Sequence, residues 1–122
     1  MLYAIFCYDS ESEVFGWSKE RDAEVMVSLD AVQDRLKAAG RLGPVARLGP
    51  TTKAKTIRKG KDAMVVDGPF AETKEQLLGF YVIECETQEA ALEVARELAG
   101  ASGSAGAFEV RPISVFRPGA LA

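Results

Sequence analysis

Asp67-Gly68-Pro69-Phe70-Ala71-Glu72-Thr73-Lys74-Glu75-Gln76 separates two apolar runs, Met64 to Val66 and Leu77 to Cys85. Asp67 can accept hydrogen bonds from neighbouring backbone N–H groups and Gly68 tolerates a positive φ. Pro69 fixes its own φ and steers Gly68 out of the α region. These residues predict a rigid corner between two strands. The corner sets a carboxylate beside an aromatic ring at a strand end, and loops at strand ends commonly carry binding or chemistry.

Outward from the corner, Leu78 to Cys85 reads as the strongest strand in the chain. Its alternation places Tyr81 and Ile83 on one face and Phe80, Val82 and Glu84 on the other. Upstream, Lys53 to Arg58 and Asp62 to Asp67 form a hairpin turning through Lys59-Gly60-Lys61. Arg41 to Pro50 is broken by glycine and proline around Val45-Ala46-Arg47-Leu48, which limits it to a short edge strand.

Leu2 to Tyr8 is nearly unbroken apolar sequence, as expected for a strand covered on both faces, and Asp9 to Glu13 follows as a polar loop. Ser18 is a natural N-cap with Glu20 in the first turn. Val25, Leu29, Val32, Leu36 and Ala39 then repeat at helical spacing up to Gly40. Thr87 caps a second helix whose inner face is Ala91, Val94, Ala95 and Leu98. Gly100 to Gly106 reads as a short mobile linker, Phe108 to Phe116 as the last strand, and 118–122 as a tail.

The element order is β-α-β-(hairpin)-β-α-β, an α+β arrangement in one domain over residues 1–117. Two helices cover one face of the sheet, yet Leu2 to Tyr8 and Leu78 to Cys85 are apolar on both. A partner subunit, making a homodimer, is the simplest cover for the second face.

At 122 residues the chain can bury a core without staples. Eighteen acidic and 15 basic residues, well mixed, provide no field for nucleic acid, and no apolar run approaches a membrane span. The N-terminal residues lack the basic start of a secretion signal, so the expected location is cytoplasmic. Cys7 and Cys85 sit in apolar strand patterns and read as buried thiols. The sequence contains no histidine, which removes the usual metal ligand and the base of Ser-His or Cys-His pairs. Neither metal nor other cofactor is expected.

In the last strand Glu109, Arg111 and Ile113 share a face opposite Phe108 and Val110. Arg111 in so apolar a strand calls for a carboxylate, from Asp67 first, or from Glu109 or Glu84. It serves either as half of a structural ion pair or as a guanidinium held for an anionic or enolic ligand. Asp67 is either a turn former or a general base desolvated beside Phe70 and Tyr81, and Tyr81 is either a packed aromatic or an acid. Asp9, at the end of the first strand, completes the candidate ligand-binding set with Phe70, Glu84 and Glu109.

Three ordered blocks carry a resemblance: Asp67 to Glu75, Gly79-Phe80-Tyr81-Val82-Ile83, and Glu109-Val110-Arg111-Pro112. Together they resemble the DGPF branch of the YCII-related proteins. The resemblance implies a ferredoxin-like subunit that pairs through its sheet into a dimeric α/β barrel. In the wider superfamily a His–Asp pair is the proposed acid/base apparatus, and DGPF relatives often carry a histidine before the last strand. This sequence has only Ala101 to Ala107 there. Any catalysis must therefore use Asp67, Glu84, Tyr81 or Arg111, in a pocket between sheet and helices near the Asp67 corner. It would run proton transfer or elimination on a small polar organic substrate. DGPF genes also commonly neighbour those of extracytoplasmic-function sigma factors, which implies the rival role of a non-catalytic module that docks such a partner.

Overall fold

The computed structural model describes residues 1–121; Ala122, the end of the expected tail, lies outside the described residues. Four strands form the main sheet: β1 (Leu2–Asp9), β2 (Leu42–Arg47), β5 (Gln76–Glu84) and β6 (Ala107–Pro112). Their order is β2-β5-β1-β6 and every neighbour is antiparallel. With α2 (Lys19–Ala38) and α3 (Gln88–Ser102) as the crossovers, the fold is ferredoxin-like α+β.

Both helices start where their caps dictate. Ser18 accepts a hydrogen bond from the Arg21 N–H, and Thr87 from the Ala90 N–H. Glu20 and Asp22 in the first turn of α2, and Arg35 and Lys37 in its last, complement the helix dipole. Val25, Val32 and Leu36 of α2 are buried, as are Ala91, Val94, Ala95 and Leu98 of α3. All of these but Val25 close on Tyr3, Ile5, Tyr81, Ile83 and Cys85 from the sheet, forming one core. Full burial of each large aliphatic side chain in it is worth about 1.5–3 kcal/mol.

The register fixes which side chains face the helices. Ile5 lies opposite Tyr81 on one neighbour and Val110 on the other, so all three face α2 and α3. Ala4 lies opposite Val82 and Arg111, and Phe6 opposite Phe80 and Glu109, so these six face the other way. Among the described residues no helix covers that second face, although Ala4 and Val82 on it are buried.

Four local expectations change. Where a polar loop was expected, Glu11–Phe15 forms a short helix, α1, because Ser10 caps it and Glu11 is anchored by the backbone N–H of Thr51 at 3.0 Å. Thr51 begins a single 3₁₀ turn, Thr51–Lys53. The expected mobile linker is half helical: α3 runs through Gly100 and Ala101 to Ser102 and stops at Gly103, whose φ of 69° is left-handed. Tertiary contacts override the glycine there, since Ala101 packs on the core and the Arg21 guanidinium donates to the Gly103 carbonyl at 2.7 Å. The last strand ends at Pro112 rather than Phe116, because β1 begins at Leu2 and has nothing left to pair beyond the Ile113 N–H bond to the Leu2 carbonyl. Finally, β3 (Lys55–Ile57) and β4 (Val65–Asp67) form the expected hairpin, but as a separate two-stranded sheet.

Candidate functional site

The β1–β5 register shifts between Cys7 and Tyr8, and beyond that irregularity Asp9 at the strand's end still lines the same space as Cys7 and Tyr81. Between this end of the sheet and α2 lies a cavity of about 160 Å³. Val25, Met26 and Leu29 of α2 form one wall, with Cys7, Tyr81 and Phe108 of the sheet opposite, and Val14 and Trp17 close the end. An apolar cavity of roughly 150 Å³ holds one benzene ring in another protein, so this space suits a single ring or its equivalent.

Few polar groups reach it: Asp9, the Tyr81 hydroxyl, Gln33, the serines 102 and 104, and an ion pair at the rim in which Arg47 Nη2 lies 3.4 Å from Asp22 Oδ1. Asp9 Oδ1 accepts from the Ser10 N–H at 2.9 Å, which orients the carboxylate. Gly106 packs directly on this strand end. A Cβ there would lie 1.9 Å from the Tyr8 carbonyl oxygen and 2.9 Å from Asp9 Cγ, so only glycine fits. Across the mouth, Arg21 stacks on Trp17 at 5.3 Å while holding the Gly103 carbonyl, tying the start of α2 to the end of α3.

Burial shifts the titration of two groups in the walls. It pushes the Cys7 thiol up to about 12, with the Asp9 charge adding to the effect. Burial likewise raises the Tyr81 hydroxyl to about 12, with Cys7 and Asp30 adding and a hydrogen bond from Gln33 opposing. Near neutral pH both are uncharged. The thiol is no nucleophile in this state, and the phenol is a hydrogen-bond donor.

The candidate residues divide sharply. Asp9 and Tyr81 line the cavity. Asp67 ends the hairpin strand β4, exposed and paired with Lys55 Nζ, so it is neither desolvated nor beside Tyr81. Phe70 is exposed too, its ring under Arg58 at 5.2 Å. Glu84 binds the amino terminus at 2.6 Å. Glu109 and Arg111 stand on the uncovered face, and among the described residues Arg111 forms no ion pair. The pocket expected between sheet and helices exists at Tyr81, but strand parity turns Arg111 away and the hairpin carries Asp67 off.

The sequence reading missed Trp17, Gln33, Asp22 and Arg47. Trp17 is the chain's single tryptophan, placed just ahead of a helix cap, and Gln33 interrupts an apolar stripe four residues after Leu29. Either was a usable signal. Asp22 and Arg47 meet only through the fold, and nothing in their spacing announces it.

An uncharacterised protein of Rhizobium meliloti (strain 1021) is 55% identical over 122 residues, an alignment covering 99% of this chain and 98% of the relative. The family model of the YCII-related domain matches residues 1–117, from the first strand past the end of the sheet. With the strand order and helix placement described above, this match makes the chain a member of the YCII-related domain family.

Proposed function

We propose that the cavity between α2 and the sheet binds one ring-sized organic molecule bearing a polar group, and that Asp9 and Tyr81 transfer a proton on it. Asp9 accepts the proton as base, and the neutral Tyr81 hydroxyl donates a hydrogen bond to the oxygen on which negative charge grows. The observation that carries this reading is an apolar, ring-sized space lined by one carboxylate and one phenol. Asp9 here takes the general-base part expected of Asp67, and no histidine is required.

Trp17 in the cavity wall makes binding directly readable by fluorescence. Benzoate, phenol and cyclohexenone serve as probes. A bound probe at 100-fold excess over its Kd adds about 2.7 kcal/mol to stability. Asp9→Asn should keep the probe and lose proton exchange on an enone substrate, while Tyr81→Phe weakens both. Exchange that survives Asp9→Asn rejects the base assignment, and failure of every probe to shift melting or Trp17 emission rejects the cavity as a ligand site.

A second reading rests on the exposure of Phe70, Glu72, Lys74 and Glu75. In it, the Asp67 to Gln76 segment docks an extracytoplasmic-function sigma factor. Its test is recovery of that factor by affinity capture, lost on charge reversal at Lys74 and Glu75.

A further inference from the structure

We infer that the ligand of this cavity is a monoanion, a ring-sized carboxylic acid whose carboxylate is bound by Arg47 at the rim. The inference rests on the cavity being a ligand site, as proposed above, and adds the class of molecule it takes. Three observations carry it.

First, the sheet is bare beside the guanidinium. Cys7, Gly79 and Arg47 are register partners across β1, β5 and β2, and all three line the space. Neighbouring strands lie about 4.8 Å apart, so Cys7 and Arg47 flank a strip about 10 Å wide with no side chain at its middle. None can be restored there, since a Cβ on Gly79 would lie 2.5 Å from the Ala46 carbonyl oxygen. The next row on this face is Ile5, Tyr81 and Val45, which sets Tyr81 diagonal to Arg47. A flat ring lying over Gly79 therefore has the phenol beside it and the guanidinium at one end.

Second, Arg47 has donors to spare. Among the described residues it is the one basic side chain lining the cavity. Its one carboxylate contact is Asp22 Oδ1 at 3.4 Å, well beyond the roughly 2.7–2.9 Å of a charge-assisted bond, and its other hydrogen bond goes to the Met26 sulfur at 3.8 Å. The guanidinium fork matches a carboxylate with two parallel N–H donors, and so loose a pairing leaves that fork open. Asp22 can release it at little cost, because it is partly exposed and lies in the first turn of α2, where the helix dipole favours its charge.

Third, Arg47 stands in apolar surroundings. Phe15, Met26 and Val45 line the cavity yet are 46%, 36% and 40% exposed, so the mouth is open apolar surface around one cation. A molecule apolar along its ring and anionic at one end covers both. Its charge is single: Asp9 and Asp22 set two carboxylates against one guanidinium, which repels a phosphate dianion.

The test is titration of the full chain at low salt with benzoate, benzamide and benzylamine, one ring with a negative, neutral or positive substituent, followed by Trp17 emission and calorimetry. The wild type should bind benzoate about tenfold tighter than benzamide, and benzylamine most weakly. Arg47→Met keeps the aliphatic stem. It should weaken benzoate by about tenfold or more, the scale of one charge-assisted hydrogen bond, and leave benzamide unchanged. Asp22→Asn frees the guanidinium and should tighten benzoate. Arg35→Met removes a positive charge that pairs with Glu97 outside the cavity, and should leave the preference intact. Equal binding of benzoate and benzamide, tighter binding of benzylamine, or a preference that survives Arg47→Met would overturn the assignment of Arg47 while leaving the cavity a ligand site. Binding of none of the three would overturn both.

Discussion

Replacing Gly106 by alanine puts a methyl group 1.9 Å from the Tyr8 carbonyl oxygen and 3.0 Å from Asp9 Cα. Both are backbone atoms at the end of the central strand, so no side chain can swing aside. The chain before β6 must retreat by at least about 1 Å, which breaks the last pairing of β6 with β1, Ala107 opposite Tyr8. Overpacking of this kind costs about 1–3 kcal/mol and more when backbone must move, so about 3 kcal/mol is expected. At roughly 2.1 cal/mol/K per residue, a 122-residue chain loses about 4 °C of Tm per kcal/mol, which gives a fall of about 12 °C. Gly100→Ala is the matched control six residues away. Its Cβ meets nothing within 4 Å and the site is helical, so about 0.5 kcal/mol of stabilisation is expected. Calorimetry of the two variants decides the matter. If Gly106→Ala melts within about 2 °C of wild type, the close approach that seats Asp9 is not a constraint, and the local geometry argued here fails.

Leu98→Ala, at a fully buried core position, should cost about 2–5 kcal/mol by denaturant unfolding, and Leu92→Ala, at a half-exposed one, well under half of that. Cys7 and Tyr81 both have folded-state pKa values raised to about 12, from 9.0 and 10.0. The unfolded chain therefore releases these protons first as pH climbs. Stability should be untouched by them below about pH 9 and fall progressively toward pH 12, while the Cys7→Ser, Tyr81→Phe variant, followed by urea midpoint against pH, falls less over that window. Arg21→Met removes the stack on Trp17 and the bond to the Gly103 carbonyl. About 1 kcal/mol of stability should go with it, and acrylamide should quench Trp17 more readily as the cavity mouth loosens.

The architecture was legible because its signals were local and agreed with one another. Ser18 and Thr87 cap where they stand, both inner helix faces repeat at helical spacing, and the parity of Leu78 to Cys85 matches the observed faces. The site was only half legible. Parity correctly put Tyr81 with Ile83 and set Glu109 with Arg111, but parity within one strand says nothing about phase between strands. That phase, Ile5 with Tyr81 and Ala4 with Arg111, separates the phenol from the guanidinium. Asp67 misled for a different reason. Its turn chemistry is real, but the turn belongs to a hairpin outside the main sheet, where the nearest cation is Lys55. The stretch from Gly100 to Gly106 misled through composition: small residues that suggest slack also allow close approach, and Gly106 uses that against Asp9.

The strand order has a consequence for synthesis. β1, a central strand, pairs with β5 and β6 and not with β2, the next strand in sequence, so its partners leave the ribosome last. At 5–20 residues per second, Leu2 to Asp9 waits about 4–15 s for Gln76 to Glu84 to appear, and longer for β6. Throughout that interval a run of Leu, Tyr, Ile and Phe has no ladder on either edge. Helix α2 can form early from its own caps, but it has no sheet to close on. Folding of this chain is therefore governed by its slowest, most distant pairings, and a nascent-chain chaperone would find its natural binding segment in the first eight residues of the fold.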